Sequence, residues 1–264
     1  LPNGSSRQMG TGTRGARGHG WFKKYREGKG GRHLQGRYHY RNVDELLKIN
    51  DEVFSMNDDD NNIDNNNNSN MVYLDISLDG EESKRVCIEL ASRALPTTCS
   101  NFQKLCQTKT NIVKHDNDDD NDDDDSRIDG DGCDWGYEYT NVFKIEKSVG
   151  LCMGDVAGRG GKGGMCHPSV ASAHAKIPYT FPHESHAISH AGPGIVSMLS
   201  SGLDKNDSRF IITTNDAPQL DGRYVAFGRV KEGLDYLIND IAENVYTRRG
   251  KPAVDIQIVS CGSL

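Results

Sequence analysis

Hydrophobic and polar positions alternate most clearly from Met71 onward, where Val72, Leu74, Ile76 and Leu78 interleave with Tyr73, Asp75, Ser77 and Asp79. Asp79-Gly80 then reads as a turn, and Val86, Ile88 and Leu90 resume the period of two, so the segment predicts a β-hairpin. Pro96 opens a stretch in which Cys99, Phe102, Leu105 and Cys106 fall on one helical stripe. Further strands are predicted over 140–145, 195–199, 210–213 and 224–230, with a second helix over 232–242 directing Leu234, Leu237, Ile238 and Ile241 inward. A last alternation, Val254 to Cys261, closes the pattern. Many short strands with two helices set apart from them suggest a mostly β fold, a closed antiparallel barrel capped at its ends. Closure also removes exposed sheet edges.

Before the barrel the pattern is different. Asn42 stands at an N-cap with Glu45 at the capping-box position, and Val43, Leu46, Leu47, Val53 and Phe54 share a face, predicting a short amphipathic helix over 43–56. Residues 57–70 are a low-complexity Asp/Asn linker, and residues 1–42 form a Gly/Arg-rich arm whose glycine density opposes both helix and strand, leaving it extended. These segments account for a hydrophobic content of 35% across 264 residues, below the roughly 45–50% of a typical globular domain.

Charge sharpens the division. The net charge of -7 is the sum of opposites: the arm carries ten Arg and Lys against Glu27, whereas 116–131, inside an acidic insertion at about 111–134, carries ten Asp against Arg127. In the arm, Arg14, Arg17, Trp21, Lys23, Lys24, Arg26, Arg32 and Arg37 set cations among aromatics, a composition that suits either the surface of a protein complex or RNA. Seven cysteines, an odd number without a C-x-x-C pair, suit free thiols in a reducing intracellular compartment. The chain starts at Leu1 rather than Met, which suggests a processed or a truncated start; if a transit peptide has been removed, a mitochondrion or another organelle is the expected compartment. No apolar run approaches the ~18 residues of a membrane span.

From Met71 to Leu264 the succession VYLDISLDGEESKRVCIELASRALPTTCSNFQKLC, GYEYTNVFKI, GD at 154–155, HAGPGIVSM, RFIITT, LDGRYVAFGRVKEG and IVSCGSL resembles the cyclophilin peptidyl-prolyl isomerases. The His190-Ala191-Gly192-Pro193-Gly194 turn, Leu220-Asp221-Gly222 and Phe227-Gly228 carry the resemblance most specifically. It implies an eight-stranded barrel with two capping helices and catalysis of X-Pro isomerisation. That chemistry needs no nucleophile, metal or cofactor. The amide resists rotation by ~18–20 kcal/mol, so a site needs an apolar hollow for the proline ring and a cation whose hydrogen bonds stabilise the nitrogen lone pair as it localises.

Carried over by position, the resemblance places Lys144 where the family has its essential arginine and Phe143 where a histidine is usual. Lysine keeps the charge and loses the planar fork. Val149 and Gly150 replace the large pocket residues and Cys152 replaces a glutamine donor, changes expected to widen the hollow. On the far wall, Met198 is followed by Leu199 and Ser200, Ile211 replaces a phenylalanine, Gln219 a frequent tryptophan and Tyr224 a histidine, while Leu220 matches. Arg209, on the neighbouring strand, is the candidate substitute cation.

Other constellations carry less. His183-x-x-His186, with His167, His174, His190 and Cys166 nearby, resembles metal-ligand spacing, but a histidine-bearing surface loop explains it as well, and no metal is assigned. GRGGKGG at 158–164 lacks the Ser or Thr a phosphate loop requires after its lysine. The resulting expectation is a degenerate cyclophilin-like domain serving as a structural or interaction subunit, with isomerase activity weak or absent. A working isomerase acting on proline-containing peptides through an altered pocket, and an RNA-associated factor using the arm, are the alternatives.

Overall fold

The computed structural model describes residues 42–56, 70–109, 135–173, 177–200, 202 and 205–264. The basic arm with all the cations and aromatics named above, the linker 57–69 and most of the acidic insertion lie outside them. A compact unit spans Leu47–Leu264.

Its centre is one antiparallel sheet built from β1 (Met71–Leu78), β2 (Lys84–Leu90), β3 (Lys144–Glu146), β4 (Gly150–Met153), β5 (Ile195–Met198), β6 (Phe210–Thr213), β7 (Ala226–Glu232) and β10 (Ile256–Ser263), in the order β10-β1-β2-β7-β5-β6-β4-β3. β8 (Thr247–Arg248) and β9 (Lys251–Pro252) form a small two-stranded sheet of their own. The alternation in β1 and β2 does what it predicts: Val72, Leu74, Ile76, Val86, Ile88 and Leu90 are fully buried. The eight strands curl strongly, and the seam between β10 and β3 is crossed by an extended run. There Tyr139 N donates to Ile258 O (2.7 Å), Val142 N to Ile256 O (2.8 Å) and Ile258 N to Thr140 O (2.9 Å). The strand expected over 140–145 is therefore divided, its first half bridging the seam and its second half forming β3.

Helix α2 (Pro96–Gln107) buries Cys99, Phe102, Leu105 and Cys106 as its stripe predicts. Phe102 meets Tyr137, Phe210 and Phe227 with ring centroids 5.0 Å away in each case, an aromatic cluster at the heart of the core. Leu95 provides no side-chain cap. Glu184 supplies it instead, its carboxylate accepting from Thr97 N (2.8 Å), Thr98 N (2.6 Å) and Thr98 Oγ1 (2.5 Å). An anion at the positive end of a helix is also favoured by the backbone dipoles.

The second capping helix, α3 (Tyr236–Glu243), is π-wound and begins later than the expected 232, because β7 runs on to Glu232 and Gly233 turns the chain at φ 85°. The wider winding changes the inward set to Tyr236, Leu237, Ile241 and Ala242.

The amphipathic helix α1 (Val43–Ser55) precedes the barrel, and Glu45 N donates to Asn42 Oδ1 at 3.3 Å, the expected cap. Its buried residues are Asn50, Val53 and Phe54, whereas Leu47, expected on the same face, is 40% exposed. A carboxamide stands on the buried face because it is satisfied there: Asn50 Nδ2 donates to Ser189 O and Asn50 Oδ1 accepts from Ser189 N, each at 2.9 Å. No helix among the described residues is long and apolar enough to cross a membrane.

Candidate active site

The hairpin of β3 and β4 and the adjoining strand β6 bring the proline-pocket positions together. Val149, Cys152, Ile211, Ala217 and Leu220 form an apolar cluster separate from the barrel core, with Phe143, Leu199 and Tyr224 packed around it. Cys152 pairs with Lys144 on one side and Ile211 on the other, so two ladders fix the floor. The five central side chains are at most 7% exposed. These side chains pack on one another, and Phe143, Leu199 and Tyr224 stay partly exposed around them.

Three expected pocket positions sit elsewhere. Met198 is fully buried in the main barrel core. Gln219 is exposed on the short turn Pro218–Leu220. Gly150 pairs with Thr213, and a Cβ there would lie 2.1 Å from Ile212 O, so the glycine is what lets β4 close against β6. Ser200 lies beside the cluster: its hydroxyl donates to Gly202 O and accepts from His183 Nε2 at 3.1 Å.

Neither cation faces the cluster unengaged. Lys144, in β3, is half exposed and pairs with Glu146 two residues on, the same face of a strand of period two; that contact raises its pKa. Arg209 is mostly buried. Its Nε donates to Asp207 Oδ1 (3.0 Å), its Nη2 to Asp207 Oδ2, and its Nη1 to Gly161 O (2.6 Å), with Asp207 itself only 3% exposed. The Asp207 bonds raise its pKa despite burial. Burial pushes the Cys152 thiol up to about 12, so it is a neutral, apolar floor residue rather than a nucleophile.

The glycine-rich loop is turned inward. Gly161 N and Lys162 N both donate to Asp155 Oδ2, the second at 3.1 Å, so a carboxylate of the chain itself occupies the amide cradle where a phosphate would go. His183 and His186 meet edge to face with centroids 5.5 Å apart, and His186 Nδ1 donates to Tyr224 O at 3.1 Å. Among the described residues no group of three or more metal-ligating side chains converges. His174 lies outside them.

Sequence reasoning missed Ala217, which is fully buried at the centre of the cluster, and Glu184 as a cap. The Ala-Pro step before a short turn is the only local signal for the first. The second is a contact across 86 positions and has none.

The chain is 32% identical over 194 residues to the peptidyl-prolyl cis-trans isomerase cyp11 of Rhizopus delemar, an alignment covering 73% of this chain and 50% of that protein. It thus spans about half the length of the curated relative. The description "Cyclophilin type peptidyl-prolyl cis-trans isomerase/CLD" matches residues 73–263, from β1 to the end of β10. With the strand order and the clustered pocket positions, this match establishes that the chain belongs to the cyclophilin-type peptidyl-prolyl cis-trans isomerase family.

Proposed function

We propose that this cyclophilin domain serves as a binding module within a larger assembly, its groove kept as a surface for extended peptide and its isomerase activity weak or absent. One observation carries the reading: the position of the family's arginine holds Lys144, and its ammonium is engaged by Glu146. Isomerisation needs a directed donor at the proline nitrogen. Losing one such preorganised donor costs a factor of ~10²–10³ in other enzymes.

The floor supports the same reading. Cys152 offers no strong hydrogen-bond donor, and the closed packing of Val149, Ile211 and Leu220 gives a proline ring little to enter. The partly buried rim residues Phe143, Leu199 and Tyr224 still offer apolar contact to a peptide lying across it.

The test is a prolyl-peptide isomerisation assay of the unmodified protein beside Lys144→Arg. Turnover at least ~100-fold below an arginine-bearing family member is expected. Lys144→Arg should recover only part of that loss, because it restores the planar fork but leaves Cys152 in place of the glutamine donor. Turnover by the unmodified protein within ~10-fold of that reference would refute the proposal.

A further inference from the structure

The β8–β9 hairpin is a tight two-residue turn. Thr247 pairs with Pro252 and Arg248 with Lys251, and the two loop residues both take positive φ, Arg249 at 55° and Gly250 at 84°. An arginine at the first loop position is a poor choice for the turn, where Asn, Asp or Gly relieves the strain. Arg248, Arg249 and Lys251 are all exposed and make no ion pair among the described residues. Tyr246, which leads into the hairpin, is 72% exposed.

The hairpin is fastened to the site described above. Gly250 O accepts from Ile145 N at 2.7 Å, and a Cβ at Gly250 would come within 3.2 Å of Lys144 Cγ. Lys144 in turn faces Cys152 across the ladder. Lys147, exposed, follows in the same β3–β4 hairpin. Arg248, Arg249 and Lys251 thus flank a glycine packed on Lys144, at the border of the apolar cluster, and Lys144 pairs with Glu146. Like charges so placed repel one another, and a counter-charge from outside relieves that repulsion.

We propose that this border, made by Arg248, Arg249, Lys251 and Lys144, binds an anionic side chain of the extended peptide that the groove receives, either a phosphoserine or phosphothreonine or an acidic residue. The inference rests on the proposed binding role of the groove and names its ligand class. Two guanidinium forks suit the oxygens of a phosphate or carboxylate. A nucleic acid would be gripped by several aromatics set among the cations, whereas Tyr246 is the one exposed aromatic leading into this hairpin, so a single anionic group is the better fit.

The experiment is fluorescence anisotropy on the full chain with three labelled versions of one proline-containing peptide, bearing serine, phosphoserine or glutamate two residues from the proline. The phosphoserine peptide is expected to bind about tenfold tighter than the serine peptide, a preference lost at ~0.5 M salt. The combined variant Arg248→Gln, Arg249→Asn, Lys251→Gln should abolish the preference, leave serine-peptide binding unchanged and, since Asn suits the turn better, not lower the thermal midpoint. Equal affinity for glutamate and phosphoserine peptides assigns the border to acidic segments, and tighter binding of phosphoserine assigns it to phosphorylated ones. Serine and phosphoserine peptides binding alike, or a preference that survives the variant, overturns the inference while the binding role stands. Failure of all three peptides to bind overturns both. An oligouridine that outcompetes the phosphopeptide, and is itself released by the variant, overturns the inference in favour of nucleic acid.

Discussion

Replacing Phe54 by alanine tests whether α1, which lies outside the region matched to the family, is a working part of the barrel unit. Phe54 is fully buried, and the Arg229 guanidinium stacks on its ring 4.4 Å from the centroid. The same arginine reaches Glu89 at 2.6 Å and Asp51 of the helix at 2.5 Å. Truncating a buried phenylalanine costs ~3–5 kcal/mol. Here the lower end applies, since a helix at a domain's margin can lift away once its contacts cost more than its docking provides. A loss of ~3 kcal/mol in a domain of 150–250 residues lowers the midpoint by roughly 6–12 °C. The assay is thermal unfolding followed by circular dichroism, with Leu47→Ala as the control. Leu47 is 40% exposed on the same helix, so its truncation should fall within ~0.5 kcal/mol and shift the midpoint by no more than ~2 °C. Equal shifts for the two variants, or none for Phe54→Ala, would refute the docking.

The remaining predictions concern single interactions. Glu184→Gln removes the charge that caps α2 and leaves a donor facing the helix amides; a loss of ~1–2 kcal/mol is expected in chemical denaturation, and an unchanged midpoint would show the cap to be idle. His167 Nδ1 accepts from Ser169 N at 3.2 Å, and burial, with Lys104 nearby, lowers its pKa below the ordinary 6.5. The fold thus favours the neutral ring, so this group's contribution is complete above pH ~6.5 and fades as the pH falls below it. The stability of the unmodified protein relative to His167→Asn should decline between pH ~7 and ~5, and a flat or rising difference would contradict the assignment. The six described cysteines are all buried and form no disulfide with one another, and burial raises the thiols of Cys99, Cys106 and Cys152, so these three should react with a thiol reagent near pH 8 only after denaturant is added. Fast labelling of Cys152, identified by mass spectrometry of the native protein, would show the pocket floor to be open.

The parts of the fold legible in the sequence are those whose stabilisation is periodic. Val72, Leu74 and Ile76 announce their strand because one face of it is buried, and the α2 stripe does the same at helical spacing. The pocket positions were legible only through family resemblance, since nothing about an isolated Ile211 or Leu220 marks it as part of a second cluster. Interactions between distant positions left no trace: the Asn50 clasp on Ser189 spans 139 positions, and without it a polar residue on a helix face reads as solvent-facing. The β8–β9 hairpin escaped notice because its turn uses Arg-Gly in place of the usual Asn-Gly. The Lys144–Glu146 pair was readable in principle, two residues apart on one strand face, but family correspondence directs attention to the lysine and away from its neighbour.

The two cations near the pocket differ in what it would take to redirect them, and that difference bears on the proposed weakness of the isomerase. Arg209 has the right shape, but turning it toward the cluster would abandon Asp207, which is 3% exposed. Leaving one member of a buried pair alone costs ~3–5 kcal/mol, comparable with the whole advantage a single directed donor gives a transition state. Lys144 is the opposite case. Both members of its pair are substantially exposed, so separating them costs at most ~1 kcal/mol, and the ammonium can leave Glu146 with little penalty. What it delivers on arrival is a hydrated point charge on a flexible stem, with no planar fork to hold two hydrogen bonds in fixed directions. The side chain with the needed geometry is immobilised by its carboxylate, and the mobile one lacks the geometry. The same mobility suits Lys144 to neutralising an anion on a bound peptide, where charge matters more than angle.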